Sequence, residues 1–177
     1  MVFKENKLKG AYIVEGEPIK DDRGFFARTF CKEEFTRHQL DPCVAQCSIS
    51  FNTKKGTLRG MHYQTKPYEE VRLVRCTRGR IFDVIIDLRP QSPTHKHWDA
   101  VELTADNRLM LYVPKGFAHG FQTLEDNTEV FYQMSEFYAP EFARGLRWND
   151  PVFAIAWPLD NPILSARDRT FPNFEAP

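Results

Sequence analysis

Six runs of strand length, each rich in apolar residues and each closed by turn-forming ones, succeed one another with little helical periodicity between them. They are Glu69–Thr77, Gly79–Leu88, Asp99–Thr104, Arg108–Pro114, His119–Leu124 and Thr128–Tyr138. Gly10–Ile19 opens the series in the same style. Many short strands with regularly spaced turns specify an all-β sandwich or barrel. From Val71 to Cys76 the alternation is only partial, with apolar residues on both faces, which predicts a strand covered on both sides. Arg78–Gly79 reads as a tight hairpin turn with glycine supplying positive φ, and Thr104–Leu109 as a second hairpin in which Asp106–Asn107 tolerates the left-handed region. Helical spacing is good only over Cys31–Leu40, with Phe35 and Leu40 on the apolar side and Thr29 as candidate cap. The tail, Ser165–Phe174, is a turn or short helix. No repeat, low-complexity tract or linker divides the 177 residues, so a single domain over 1–177 is expected.

Lys plus Arg and Asp plus Glu each number 24, so net charge gives no reason to expect nucleic acid or an anionic membrane as partner. Aromatics make up 14% of the chain, including 15 Phe, which suits a β-rich core or a ring-lined pocket. The N-terminal residues lack the apolar stretch of a signal peptide, and no apolar run approaches a membrane span. A cytoplasmic protein is expected. Its four cysteines, Cys31, Cys43, Cys47 and Cys76, form no CxxC pair and are expected as free thiols.

Chemistry is concentrated in two stretches. GTLRGMHYQ, Gly56–Gln64, places Arg59 and His62 three residues apart in a strand-like run. VPKGFAHGF, Val113–Phe121, contains Pro114, Gly116 and His119, with Thr123 four residues further on. This P-x-G-x-x-H spacing resembles the second motif of the cupins. The first cupin motif of metal-dependent members supplies H-x-H, but here it reads His62-Tyr63-Gln64. A two-histidine, one-carboxylate metal set from His62, His119 and Glu69 or Glu70 stays open as an alternative, that of a metal-dependent cupin enzyme. If His62 is instead a base, its other nitrogen needs an orienting carboxylate, for which Asp83, Asp87, Asp150 and Asp168 all qualify by spacing. Arg59 is suited to holding a carboxylate or phosphate. Arg78 and Arg80 read as solvated, and His38, His95 and His97 as surface or loop residues. Tyr132 sits in a run whose other aromatics read as core.

Taken in order, DDRGFFARTF, GTLRGMHYQ, LVRCTRGRIFDVIIDLR, VPKGFAHGFQTL, FYQMSEFYAP, RWNDP and SARD resemble the dTDP-4-dehydrorhamnose 3,5-epimerase family nearly end to end. The resemblance implies a cupin-type jelly roll with a few short helices, working as a homodimer without metal or organic cofactor. It implies dTDP-rhamnose biosynthesis for cell-surface polysaccharide, with a nucleotide-linked 4-keto-6-deoxyhexose as substrate and no nucleic acid or membrane as partner. A single-centre epimerase or a ketoisomerase acting on another such sugar is the alternative within the same scaffold. By resemblance His62 is the base, Asp168 its carboxylate partner and Tyr132 the proton donor. Arg59 and His119 fall at substrate-binding positions, with Gln46, Ser48 and Tyr138. Arg23 is similar to an arginine that reaches the diphosphate from the neighbouring subunit. The chain departs from the family pattern at Arg72 and Arg167, where lysines are usual, at Arg28 and Ala143, where glutamates occur, and at Ser48, where asparagine is preferred.

Overall fold

The computed structural model describes residues 1–175. In chain order the elements are β1 (Val2–Glu5), β2 (Tyr12–Glu15), β3 (Ile19–Asp21), β4 (Gly24–Phe26), α1 (Lys32–Arg37), β5 (Gln46–Asn52), β6 (Leu58–Gln64) and β7 (Arg72–Arg78). They continue with β8 (Arg80–Asp87), β9 (Trp98–Thr104), β10 (Met110–Val113), β11 (Phe117–Thr123), β12 (Thr128–Met134), β13 (Ala143–Gly145) and α2 (Ala166–Thr170). One sheet has the order β1-β2-β10-β7-β12-β5, and a second has β13-β6-β11-β8-β9. β3 and β4 form a separate antiparallel hairpin. From β5 onward every connection except β8 to β9 carries the chain from one sheet to the other. The result is an antiparallel jelly roll of the cupin type, in line with the all-β reading.

Between the sheets lies the main core. Val74, Cys76, Leu111, Val113 and Val130 come from the six-stranded sheet, and Ile81, Ile85, Leu103, Phe117 and Phe121 from the five-stranded one. Two further clusters cover the outer faces. Phe35 of α1 packs with Val14, Leu73, Met110 and Tyr112 on one side. Met61, Val84 and Ile86 pack with Leu146 and Phe153 of the C-terminal segment on the other. β7 therefore buries Leu73 against α1 and Val74 in the main core, the double coverage its broken alternation predicts.

Both expected hairpins are corners instead. β7 and β8 meet at Gly79 but belong to different sheets, as do β9 and β10 around Asn107. A tight-turn signal fixes a reversal of direction, not the sheet that the next strand joins. Gly79 does take φ +76, and a Cβ there would stand 2.5 Å from Thr128 Oγ1. In the second corner the positive φ falls on Arg108 (54°), while the Asn107 carboxamide accepts from the amides of Thr104 and Leu109. The helix is shorter than expected. Cys31, not Thr29, is its N-cap and offers no side-chain bond. Gln39 turns to φ 60, and the Leu40 amide returns to the Phe35 carbonyl, which ends the helix early.

Candidate active site

His62 and His119 are directly opposite each other in the β6–β11 ladder. Arg59, three residues from His62, would point to the other face of a regular strand. The ladder is not regular here. His62 pairs with His119 and Arg59 with Phe121, so three steps on β6 oppose two on β11. This bulge centres on Gly60 (φ +147), where a Cβ would lie 2.7 Å from Gly120 Cα. The extra residue reverses the parity of the strand and turns Arg59 into the same cleft as His62.

That cleft, about 440 Å³, lies between the two sheets. His62, Arg59, His119 and Phe121 line it from β6 and β11; Gln46, Ser48 and Ser50 from β5; Arg72, Tyr132 and Met134 from β7 and β12. Tyr138 stands exposed at its mouth. A chamber of about 170 Å³ shares His62, Arg72 and Tyr138 with it and adds Glu70, Ala143 and Arg167. Arg167 Nη1 donates to the Tyr138 hydroxyl at 3.3 Å. A larger cleft of about 510 Å³ lies by the β3–β4 hairpin, but no histidine lines it.

The carboxylate question left open by spacing is resolved by geometry. His62 Nε2 is 2.8 Å from Asp168 Oδ1. Asp168, only 4% exposed, is delivered by the C-terminal segment. Ile163 exchanges backbone hydrogen bonds with Gly56 and Leu58 at the start of β6, and Ser165 caps α2 by accepting from the Asp168 amide. Phe171 then lies edge-on to His62 with centroids 5.6 Å apart. Phe171 also lies against Gly145, where a Cβ would come within 2.3 Å of its ring. Burial alone would raise the Asp168 carboxyl. The hydrogen bond from His62, with smaller help from the Gly60 amide and Ser165, outweighs it and holds the group below the usual carboxylate range.

Asp83 orients a different histidine. His119 Nε2 is 2.7 Å from Asp83 Oδ1, and both side chains are buried. A lone aspartate in the apolar run IFDVII was the available signal. Asp87 instead accepts from Arg89, Ser92 and Thr94, and Asp150 from the Val152 amide. Of the two carboxylates in the metal alternative, Glu70 is bound to Arg72, and Glu69 lies by Gly116 and does not line the cleft that His62 and His119 share. Among the described residues no three His, Cys, Asp or Glu side chains converge as a metal site would require.

Burial pushes the Tyr132 hydroxyl well above its ordinary pKa, and the Asp83 charge adds to that, while Arg72 and Arg59 pull it partly back. It therefore stays protonated at neutral pH. Arg59 is held by Asn52, whose Oδ1 accepts from Nε at 2.7 Å. Asn52, Ser50, Phe121 and Met134 were not anticipated as site residues; the alternation of β5 places Ser48 and Ser50 on the same face as Gln46. Arg23 and Arg28 do not reach this cleft. Arg23 pairs with Asp21 on the β3–β4 hairpin, and Arg28 with Glu34 of α1.

Comparison with known proteins points to one family. The family model described as dTDP-4-dehydrorhamnose 3,5-epimerase matches residues 5–176. A protein of that name from Methanothermobacter thermautotrophicus is 42% identical over 173 residues, covering 96% of this chain and 92% of its own. The crystal structure of such an epimerase from Bacillus anthracis, with TDP and PPi bound, superposes with a TM-score of 0.94 at 40% identity, covering 98% of this chain and all of that one. A dTDP-6-deoxy-D-glucose-3,5-epimerase of Legionella pneumophila, in complex with dTDP-4-keto-L-rhamnose, gives 0.90 at 32% identity over 97% of this chain and 92% of that one.

Proposed function

This chain belongs to the dTDP-4-dehydrorhamnose 3,5-epimerase family, and from that premise we propose how its cleft inverts a nucleotide-linked sugar. The protein is an isomerase. Its substrate is dTDP-4-dehydro-6-deoxy-D-glucose and its product dTDP-4-dehydro-L-rhamnose, a building block for cell-surface polysaccharide. The observation that carries the reading is the His62–Asp168 pair, 2.8 Å apart, on one wall of a cleft whose opposite sheet presents Tyr132.

A hydrogen next to the C4 ketone is far more acidic than an ordinary C–H. His62, with one ring nitrogen bound to Asp168, takes that proton on the other. The electron pair of the C–H bond moves into the ring and leaves an enolate at O4. Arg72 faces the cleft as the cation that stabilises this charge, with His119 beside it. The Tyr132 phenol, kept protonated by burial, returns a proton to the carbon from the opposite face and restores the ketone with inverted configuration. Both residues re-equilibrate with solvent. The same cycle at C3 and at C5 completes the reaction.

Arg59 and Arg167 serve the diphosphate, and Gln46, Ser48 and Tyr138 the rest of the ligand. The working form is a homodimer of single-domain chains spanning residues 1–177. Arg23, with its side chain 90% exposed, lies on a hairpin that also exposes Ile19, Phe25 and Phe26. This hairpin reaches the cleft of the second subunit and brings Arg23 and Arg28 to the nucleotide. Among the described residues Cys31, Cys43, Cys47 and Cys76 are unbridged and no helix is long and apolar enough to cross a membrane, which supports a cytoplasmic setting.

The test is incubation of the 4-keto substrate with the protein in D2O. Deuterium enters both C3 and C5, and the product is the L-rhamno sugar by NMR. Label at one carbon alone would reassign the chain as a single-centre epimerase, and no label would reject the mechanism.

A further inference from the structure

We propose that Glu70 is a positioning residue for this reaction, holding the Arg72 guanidinium as a fixed fork so that its third nitrogen bridges the two histidines and its charge stays at the cleft. The proposal rests on the epimerase reading above. Glu70 Oε1 accepts from Arg72 Nε at 3.0 Å and from Nη2 at 2.5 Å, which occupies one whole edge of the guanidinium. Both side chains are largely buried, 8% and 14% exposed. The remaining nitrogen, Nη1, donates to the His62 carbonyl oxygen at 3.2 Å and lies 3.4 Å from His119 Nδ1. It thus sits between the two histidines, at the side of the cleft where the enolate forms.

Two features make the clamp a device for geometry. Glu70 and Arg72 are two residues apart, so an extended backbone sends both side chains the same way. Between them Val71 is pinned from both sides: its amide donates to Ser135 Oγ at 2.8 Å, and its carbonyl accepts from the Ser135 amide at 3.0 Å. An arginine has four side-chain torsions to order, and a two-point carboxylate contact orders the last of them. The clamp also reaches His119. When Nη1 donates to Nδ1, the His119 proton must reside on Nε2, where it is donated to Asp83. Asp83 fixes that tautomer from one side, and the clamp on Arg72 supports it from the other.

The chemistry predicts a particular pattern of coupling. Glutamine at position 70 can offer one oxygen to both nitrogens, as Oε1 does here, but that oxygen carries no formal charge and its amide NH2 group repels the guanidinium, so the clamp weakens and Arg72 loses its fixed orientation. Lysine at position 72 has no fork, and with Glu70 present its ammonium pairs with the carboxylate and leaves the cleft. With both changes the ammonium is released to face the enolate again. We therefore expect Glu70→Gln and Arg72→Lys each to lower kcat roughly tenfold to a hundredfold, with KM changed less than about threefold. The double variant E70Q/R72K should recover to within about fivefold of the wild type. Deuterium wash-in by the wild type serves as the reference, so failure of the epimerase reading would show there first. Additive losses in the double variant, or wild-type turnover in Glu70→Gln, would overturn the proposal. Thermal melts establish that each variant is folded. If Glu70→Gln alone does not fold, comparison of Arg72→Lys with the double variant makes the same decision.

Discussion

Replacing Asp168 by asparagine keeps the shape of the side chain and removes its charge. In the structure the carboxylate accepts from the His62 ring at 2.8 Å in a nearly buried setting. When His62 takes a proton from the sugar, the ring becomes an imidazolium. The carboxylate then gains a charge–charge contact that an amide cannot supply. A hydrogen bond to a charged group contributes about 1.5–3 kcal/mol beyond a solvated alternative. Since about 1.4 kcal/mol is a factor of ten in rate, Asp168→Asn should slow proton abstraction roughly 10- to 150-fold. The assay is the initial rate of deuterium wash-in at C3 and C5 in D2O, with thermal denaturation as control. The melting temperature should fall only by the share of stability that the ionised carboxylate contributes, because Ser165 still caps α2 through the backbone amide of residue 168. Wash-in within about twofold of the wild type would refute the role given to the pair. The stability linkage has a definite sign. The Asp168 carboxyl is depressed in the folded protein, so its contribution is complete above the ordinary carboxylate pKa and fades as pH falls through the depressed value.

Tyr132→Phe removes the returning acid but leaves the base, so hydrogen exchange without inversion should persist while product formation falls about a hundredfold or more; equal loss of both, read by NMR, would contradict separate acid and base roles. Gly145→Ala drives a methyl into Phe171 and should cost about 1–3 kcal/mol, with a melting temperature lower by several degrees and a fall in kcat as α2 shifts. Unchanged turnover would show that Phe171 does not help to place Asp168. Asp87 is held at about 2 by Arg89, Ser92 and Thr94 in spite of burial, so its share of stability, roughly 2 kcal/mol, is present above pH 4 and lost toward pH 2. Asp87→Asn should therefore melt lower at pH 7 and show a shallower acid limb in calorimetry.

What the sequence reveals and conceals follows from the range of the interactions involved. The apolar runs of β7 to β12 are local patterns, and all are strands in the structure. β1, β3, β4 and β13 have three or four residues each, too short for a period to register. Gly79 and Asn107 announce turns correctly, yet which sheet receives the next strand depends on distant pairing. The co-orientation of Arg59 and His62 contradicts simple alternation. Gly60 between them was the clue, because an isolated glycine in a strand often marks a bulge. For the carboxylates, spacing could not distinguish Asp83 from Asp168, since each finds its histidine across the fold, 36 and 106 positions away. Family resemblance supplied that choice before geometry did. The clamp on Arg72 was hidden because Glu70 reads equally well as a metal ligand.

The path by which Asp168 reaches His62 has a bearing on how activity is switched on and lost. The main core between the sheets uses no buried residue beyond Val130, whereas the carboxylate bound to His62 arrives with the trailing segment stitched along Gly56–Leu58. Peeling that segment away, by a protease cut or by local melting, would leave a sandwich that keeps Arg59 but loses Arg167, with an unaided imidazole. Inactivation on warming should accordingly precede collapse of the fold, and a nascent chain should stay inert until its final turns have wrapped home.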